Sequence, residues 1–451
     1  MNDLTFVDYS LLFLLVSINI YFTYQYFIRI PQRHIILLPF TITIILYLIE
    51  YPLKVLLIVF PVIDVSKIPN YYMFEINKLL IAFAYATSYF IFFMVTVLYL
   101  AGKTKSIKPS LIDLLESNLD YVTKLASILG LISILVLLYR FYIGEFYTFS
   151  GYYKQSLIDI IFNNIALHPL AVFLLLYVNK KNKRGFNTIL LYTLTLLVIF
   201  DSIMSTSKGV LVWLMIVYIF YKSIISEKIP LYPKIIFPFF FLLYFYYSYY
   251  ARYFGIYTGN VDLYTVYGNM SNAYYNYEDF FSITWAAIFN RVEKFENLYI
   301  TIQSTGTIDK GYFLFGSIAE IANIIPRFIW HDRPFLYFNY FVVENILVRG
   351  LKGVSSSIGR IGESFFILNY LGVIFGSIYA VISYYIYYKF ALKAKSIFQV
   401  LIYLLIYFFY FTQDNYLFQM VANLILIVIY LSIIHLFISK KNQRLVNTPL
   451  K

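Results

Sequence analysis

The segment Ile324-Ile325-Pro326-Arg327-Phe328-Ile329-Trp330-His331-Asp332-Arg333-Pro334 sets two arginines, an indole, an imidazole and a carboxylate between two prolines. Proline fixes φ, so this turn is stiff. Guanidinium groups on a stiff turn can grip phosphate oxygens as bidentate forks, and the Trp330 ring beside them can stack on a sugar face. A sugar diphosphate would satisfy both; the competing reading is an interfacial Trp among unrelated charges. Other cations share the stretch 252–365: Arg252, Arg291, Lys294, Lys310, Arg349, Lys352 and Arg360. The acids Glu293, Glu296, Asp309, Glu320, Asp332, Glu344 and Glu363 could neutralise them instead. Lys208 lies in the tight hairpin Met204-Ser205-Thr206-Ser207-Lys208-Gly209, and Arg252 ends the apolar run 235–251. Both would stand at headgroup level, where a lipid phosphate or diphosphate is the natural anion. For Lys208 alone, a snorkelling anchor is the plainer role.

Metal and thiol chemistry have little to work with. Cys is absent, and the four His residues, His34, His168, His331 and His435, are scattered. No metal cofactor, disulfide or thiolate nucleophile is expected.

The elements that must carry these residues follow from composition. Of 451 residues, 61% are hydrophobic and only 13% charged, with a mean hydropathy of +0.73. A water-soluble enzyme needs more polar surface than this, so soluble α/β enzymes are excluded and an all-α polytopic membrane protein is expected. Apolar runs near the ~20 residues that cross a bilayer occur at about 8–28, 35–62, 74–101, 122–143, 160–178, 188–206, 209–225, 235–251, 366–388, 397–411 and 416–438. That makes about eleven spans. Basic clusters such as Arg29 with Arg33, Lys180 to Arg184 and Lys440 to Arg444 occupy every second gap. Under the positive-inside rule this fixes an outside N-terminus and an inside C-terminus, and much of the net charge of +12 is accounted for. The missing basic n-region means that no cleavable signal peptide is expected.

The division is then a bundle of about eight spans over 1–251, an extracytoplasmic loop domain over 252–365, about three spans over 366–438 and a cytoplasmic tail at 439–451. Inside the second run, Glu50-Tyr51-Pro52-Leu53-Lys54 puts a proline and two charges where both are costly, predicting a broken or tilted helix. Glu75 and Lys78 read as an interfacial pair opening the third span. In the large loop, Phe281, Trp285, Ile288, Val292, Phe295, Tyr299 and Ile302 form one helical apolar stripe, for a helix on the membrane surface or against the bundle mouth. No internal repeat is evident.

The Pro-Arg-x-x-Trp-x-x-Arg-Pro run at 326–334 resembles the signature in the outer loop of bacterial polysaccharide repeat-unit polymerases, the Wzy class, which includes the enterobacterial common antigen polymerase. Ser207-Lys208-Gly209 resembles that class's small-Arg-small hairpin with Lys for Arg, and Ala251-Arg252-Tyr253 its Arg-Tyr exit from a span. Arg291 with Phe295-Glu296-Asn297-Leu298 resembles its Arg and Glu-Asn-Leu pattern, and Gly359 to Gly372 the segment leading into the next span. The resemblance covers roughly 200–380. His331 stands where the family often has Pro, so no family role passes to it.

The resemblance implies a glycosyltransferase of the bacterial cytoplasmic (inner) membrane that joins undecaprenyl-diphosphate-linked oligosaccharide units at the outer face into O-antigen, lipopolysaccharide or capsule polymer. On that reading Lys208, Arg252, Arg291, Arg327, Arg333 and Arg360 hold the diphosphate and Trp330 stacks on sugar. Glu363, His331 and Asp332, in that order, are the candidate bases, Glu363 because it comes just before a span. No cofactor and no nucleic acid are implied. A chain-length regulator and a flippase are the protein partners, with membrane lipids around the bundle. An O-antigen ligase, transferring glycan to lipid A core, has a similar layout. A lipid-linked oligosaccharide flippase would usually have more spans and no hundred-residue outer domain. A metal-dependent glycosyltransferase would need acids in the first outer loop, where 61–74 offers only Asp64.

Overall fold

The computed structural model describes residues 5–30, 38–60, 75–103, 109–142, 168–181, 185–205, 208–225, 294–304, 359–409 and short helical pieces within 428–436. Among them every regular element is helical. Among the described residues, six helices are long and apolar enough to cross a bilayer: Phe6–Arg29, Phe40–Val59, Ile76–Gly102, Leu119–Tyr142, Gly185–Ser202 and Gly359–Leu392. Their outward faces are apolar, with Phe13 76%, Leu135 62% and Leu196 67% exposed. Surfaces of that kind suit lipid rather than water, and a helix satisfies its backbone polar groups internally. This is a membrane protein by its helices as well as by its composition. The run 235–251 and most of 416–438 lie outside the described residues.

The chain divides into two compact units. The first contains α1 (Phe6–Arg29), α2 (Phe40–Val59), α3 (Ile76–Gly102), α9 (Lys294–Ser304), α10 (Gly359–Leu368) and α11 (Phe375–Tyr387), the last two joined by a 3-10 turn at Asn369–Ile374. A capping box opens α1: the Asp8 N–H donates to Thr5 Oγ1, and the Thr5 N–H donates to Asp8 Oδ2 at 2.9 Å.

Helix α3 is the centre of this unit and packs on α1, α9 and α11. Small and polar residues set those contacts, as membrane helices require. Asn19 Nδ2 donates to Thr87 Oγ1 at 3.0 Å, and Thr96 Oγ1 to Ser377 Oγ at 2.9 Å. Gly376 lets α11 touch the α3 backbone, since a Cβ there would lie 2.4 Å from the Tyr89 carbonyl oxygen.

The second unit contains α4 (Ser110–Ser117), α5 (Leu119–Tyr142), α6 (His168–Lys181), α7 (Gly185–Ser205), α8 (Lys208–Ile224) and α12 (Ile397–Phe409), with a π turn at Tyr388–Leu392. Helix α5 packs on α6 and α7, and Ser127 Oγ donates to Asn187 Oδ1 at 2.7 Å. Arg140 on α5 and Asp201 on α7 form an ion pair at 3.5 Å. The rings of Phe173, Phe220, Tyr407 and Phe408 fill the space between α6, α8 and α12.

Candidate functional site

The expected break in the second span is instead a widened turn. Pro52 has no N–H, and its ring crowds the carbonyl one turn earlier, so the α-helical ladder cannot pass through it. The helix responds with a π turn at Ile49–Leu53 and then continues to Val59. Such turns inside α-helices recur at functional sites. Here the turn carries Glu50 and leads directly into Lys54, which has no exposed surface.

Helix α9 supplies the partner. Lys54 Nζ lies 3.1 Å from Glu296 Oε1, and both side chains are buried. Phe295 beside it packs edge-on against Tyr51 and Phe83, while Asn297 and Leu298 are fully buried. Glu296 sits in the first turn of α9, where the helix dipole favours an anion. The Glu75 N–H at the head of α3 donates to the Tyr299 hydroxyl at 3.0 Å, tying α9 to that end of the bundle. The apolar stripe therefore faces the membrane helices over this part of its length, and positions 281–293 lie outside the described residues. Glu75 and Lys78 do pair, at 2.8 Å and well exposed.

Helix α10 packs against α9 and brings Arg360 and Glu363. The Arg360 guanidinium lies 4.3 Å from the centre of the Tyr379 ring, a cation–π arrangement that suits the planar, weakly hydrated guanidinium better than an ammonium. Glu363 is 5% exposed, and Ser364 next to it shares a hydrogen bond of 2.9 Å with the Tyr85 hydroxyl. Arg360, Glu50, Thr43, Tyr47, Tyr51, Phe90 and Tyr379 line a cleft of about 430 Å³, its open mouth included. The space within it that admits solvent is small, about 40 Å³, room for a few water molecules.

The cleft thus holds the Glu50 carboxylate and the Arg360 guanidinium among tyrosine and phenylalanine rings, and the same unit buries the Lys54–Glu296 pair and Glu363. Cations in a low-dielectric aromatic setting can stabilise an anion strongly. Burial limits how Glu363 can act, because its carboxylate reaches a substrate only through an opening of this packing. Sequence had put it just before the span at 366–388; α10 instead starts at Gly359, so Arg360 and Glu363 lie within the helical run Gly359–Leu392.

Among the other residues expected to do chemistry, Lys208 is the first residue of α8. Arg252, Arg291, Arg327, Trp330, His331, Asp332 and Arg333 lie outside the described residues. Arg360 and Glu363 stand together on one helix, three positions apart. Sequence reasoning had passed over Glu50 and Lys54 as a defect in a span and Glu296 as a neutralising acid. The signal was present, since ionisable residues in an apolar run are costly and are kept for a reason. Compared with models of protein families, with curated proteins and with solved structures, the chain gives no match in any of the three.

Proposed function

We propose that the protein is a polysaccharide polymerase of the bacterial cytoplasmic membrane, with about eleven spans, its N-terminus outside and its large loop on the outer face. A hydroxyl of the acceptor oligosaccharide attacks the anomeric carbon of the lipid-linked donor. The C–O bond to the diphosphate breaks, undecaprenyl diphosphate leaves with the bonding pair, and the hydroxyl proton passes to a carboxylate or imidazole. Diphosphate is a good leaving group, so arginines and lysines that stabilise its growing charge can carry most of the catalysis.

One observation supports this reading most. Two segments that bear the family resemblance, Phe295–Leu298 and Gly359–Leu368, are far apart in sequence, yet their helices pack on each other, and the first carries Glu296, paired with the buried Lys54 that follows the π turn of α2. Lipid-facing structure has no use for such a cluster, whereas a site for an anionic headgroup does.

The test is a reaction of the purified protein with a lipid-diphosphate-linked oligosaccharide, in the presence of EDTA. Chains longer by whole repeats, still on lipid diphosphate, are expected. Transfer only to lipid A core would identify a ligase. A deletion strain adds a second readout: loss of long chains with a single capped repeat retained is expected, and loss of even that single repeat would contradict the proposal.

A further inference from the structure

A second concavity lies away from this cluster, between the C-terminal halves of α1 and α3, and measures about 650 Å³ with its open side included. Tyr21, Phe22, Val95, Leu98 and Tyr99 give it apolar and aromatic walls, and Arg29 closes one end with Gln25 nearby. Lys103 Nζ sits over the Tyr99 ring at 4.2 Å, so a second cation stands beside the same wall. Arg29 and Lys103 each fall at or just beyond the end of a membrane-length helix. Both are exposed, and neither has an ion-pair partner among the described residues. The sequence running on from the two helices is basic as well, with Arg33, Lys105 and Lys108.

Cations at helix C-termini are ordinary and by themselves say nothing about a ligand. Here they stand at the mouth of an apolar groove that runs down between two helices, at the depth where headgroup meets hydrocarbon. A bulk lipid face is smooth and takes any acyl chain. A groove with two cations at its rim selects instead, because a phosphodiester gains two charge-assisted contacts while its chain fills the space below. A zwitterionic headgroup would bring its own ammonium against Arg29 and Lys103.

We infer that the groove between α1 and α3 is a binding site for an anionic glycerophospholipid, its phosphate held by Arg29 and Lys103 and one acyl chain lying on Val95, Leu98 and the flanking rings. The site is independent of the polymerase reading. It needs only that α1 and α3 cross the membrane.

Phosphatidylglycerol and phosphatidylcholine with the same acyl chains separate the possibilities. The full-length protein is reconstituted in mixed nanodiscs, released, and its retained lipid weighed by native mass spectrometry. Enrichment of phosphatidylglycerol over its bulk share on the order of tenfold is expected from two interfacial cations. Replacing both cations (Arg29→Gln with Lys103→Gln) should abolish the enrichment. Val95→Trp, which fills the groove and keeps both charges, should abolish it too. Enrichment unchanged in either variant, or wild-type retention equal for the two lipids, would overturn the assignment. So would displacement of the retained lipid by inorganic phosphate, because the site would then be one for a soluble anion.

Discussion

Lys54 is completely buried in a helix of the membrane bundle, and Glu296, 3.1 Å away, offsets the cost of an ammonium there. Breaking such a pair from one side costs about 3–5 kcal/mol, whereas replacing both partners by apolar groups is often neutral. Lys54→Met and Glu296→Gln are therefore each expected to lower the yield of folded protein and its melting temperature, and Lys54→Met with Glu296→Leu to recover both. If the ammonium also serves the diphosphate, the double variant folds but makes little polymer per folded molecule. Full recovery of both properties would leave the pair a purely structural role. The same division applies to Arg252, Arg327 and Arg333. Each changed to Ala should cost roughly 2–4 kcal/mol in the transition state, a rate loss on the order of a hundredfold, with only partial rescue by Lys, which keeps charge and loses the fork. Near wild-type polymer per folded molecule in all three would remove them from the site. At this scale the sequence was legible for residue type and not for partnership. Glu296 was visible within a motif, but nothing in the sequence says that its partner comes from 242 positions earlier, in a helix that looked merely damaged.

Elements were legible where hydropathy is uninterrupted. Runs read at 8–28, 74–101 and 122–143 correspond to Phe6–Arg29, Ile76–Gly102 and Leu119–Tyr142, because apolar side chains and internal hydrogen bonding both demand the same helix. Element ends were less legible where tertiary packing stabilises what composition disfavours. Gly359-Arg360-Ile361-Gly362-Glu363 has two glycines and two charges, and so it resembles loop. Packing of α10 on α9 and the Arg360–Tyr379 contact hold it as helix. The same argument makes Gly376 a sensitive position. A Cβ would meet the Tyr89 carbonyl oxygen at 2.4 Å and the Phe93 nitrogen at 3.1 Å, both backbone atoms that cannot step aside. Gly376→Val should destabilise by roughly 1–3 kcal/mol or more through overpacking, seen as a lower melting temperature in nanodiscs. Gly102→Ala, where nothing lies within 4 Å, is the control and should change little. Equal melting temperatures for wild type and the Gly376 variant would mean that α11 does not approach α3 this closely.

For the molecule as a whole, the proposed function depends on which side of the membrane carries the stretch 252–365. Basic clusters at alternate gaps argue that 103–108, 180–184, 389–395 and 440–444 are cytoplasmic, because short loops rich in Lys and Arg are retained there. The stretch 61–74 and the large loop would then both be external. Within the first unit the Glu75 N–H is bonded to Tyr299, so the head of α3 and helix α9 share a side, whichever side that is. The absence of Cys from the chain makes the measurement clean. A single Cys introduced near Asn182 or Lys441 should react with a membrane-impermeant maleimide only after the membrane is opened, whereas one within 255–350 should react in intact spheroplasts. A reporter fusion at the same positions gives an independent reading. If the large loop reacted only after permeabilisation, its arginines would face the cytoplasm, where no flipped lipid-linked repeat unit is present, and polymerisation at the outer face would be ruled out whatever the local geometry of the cluster around Lys54 and Arg360.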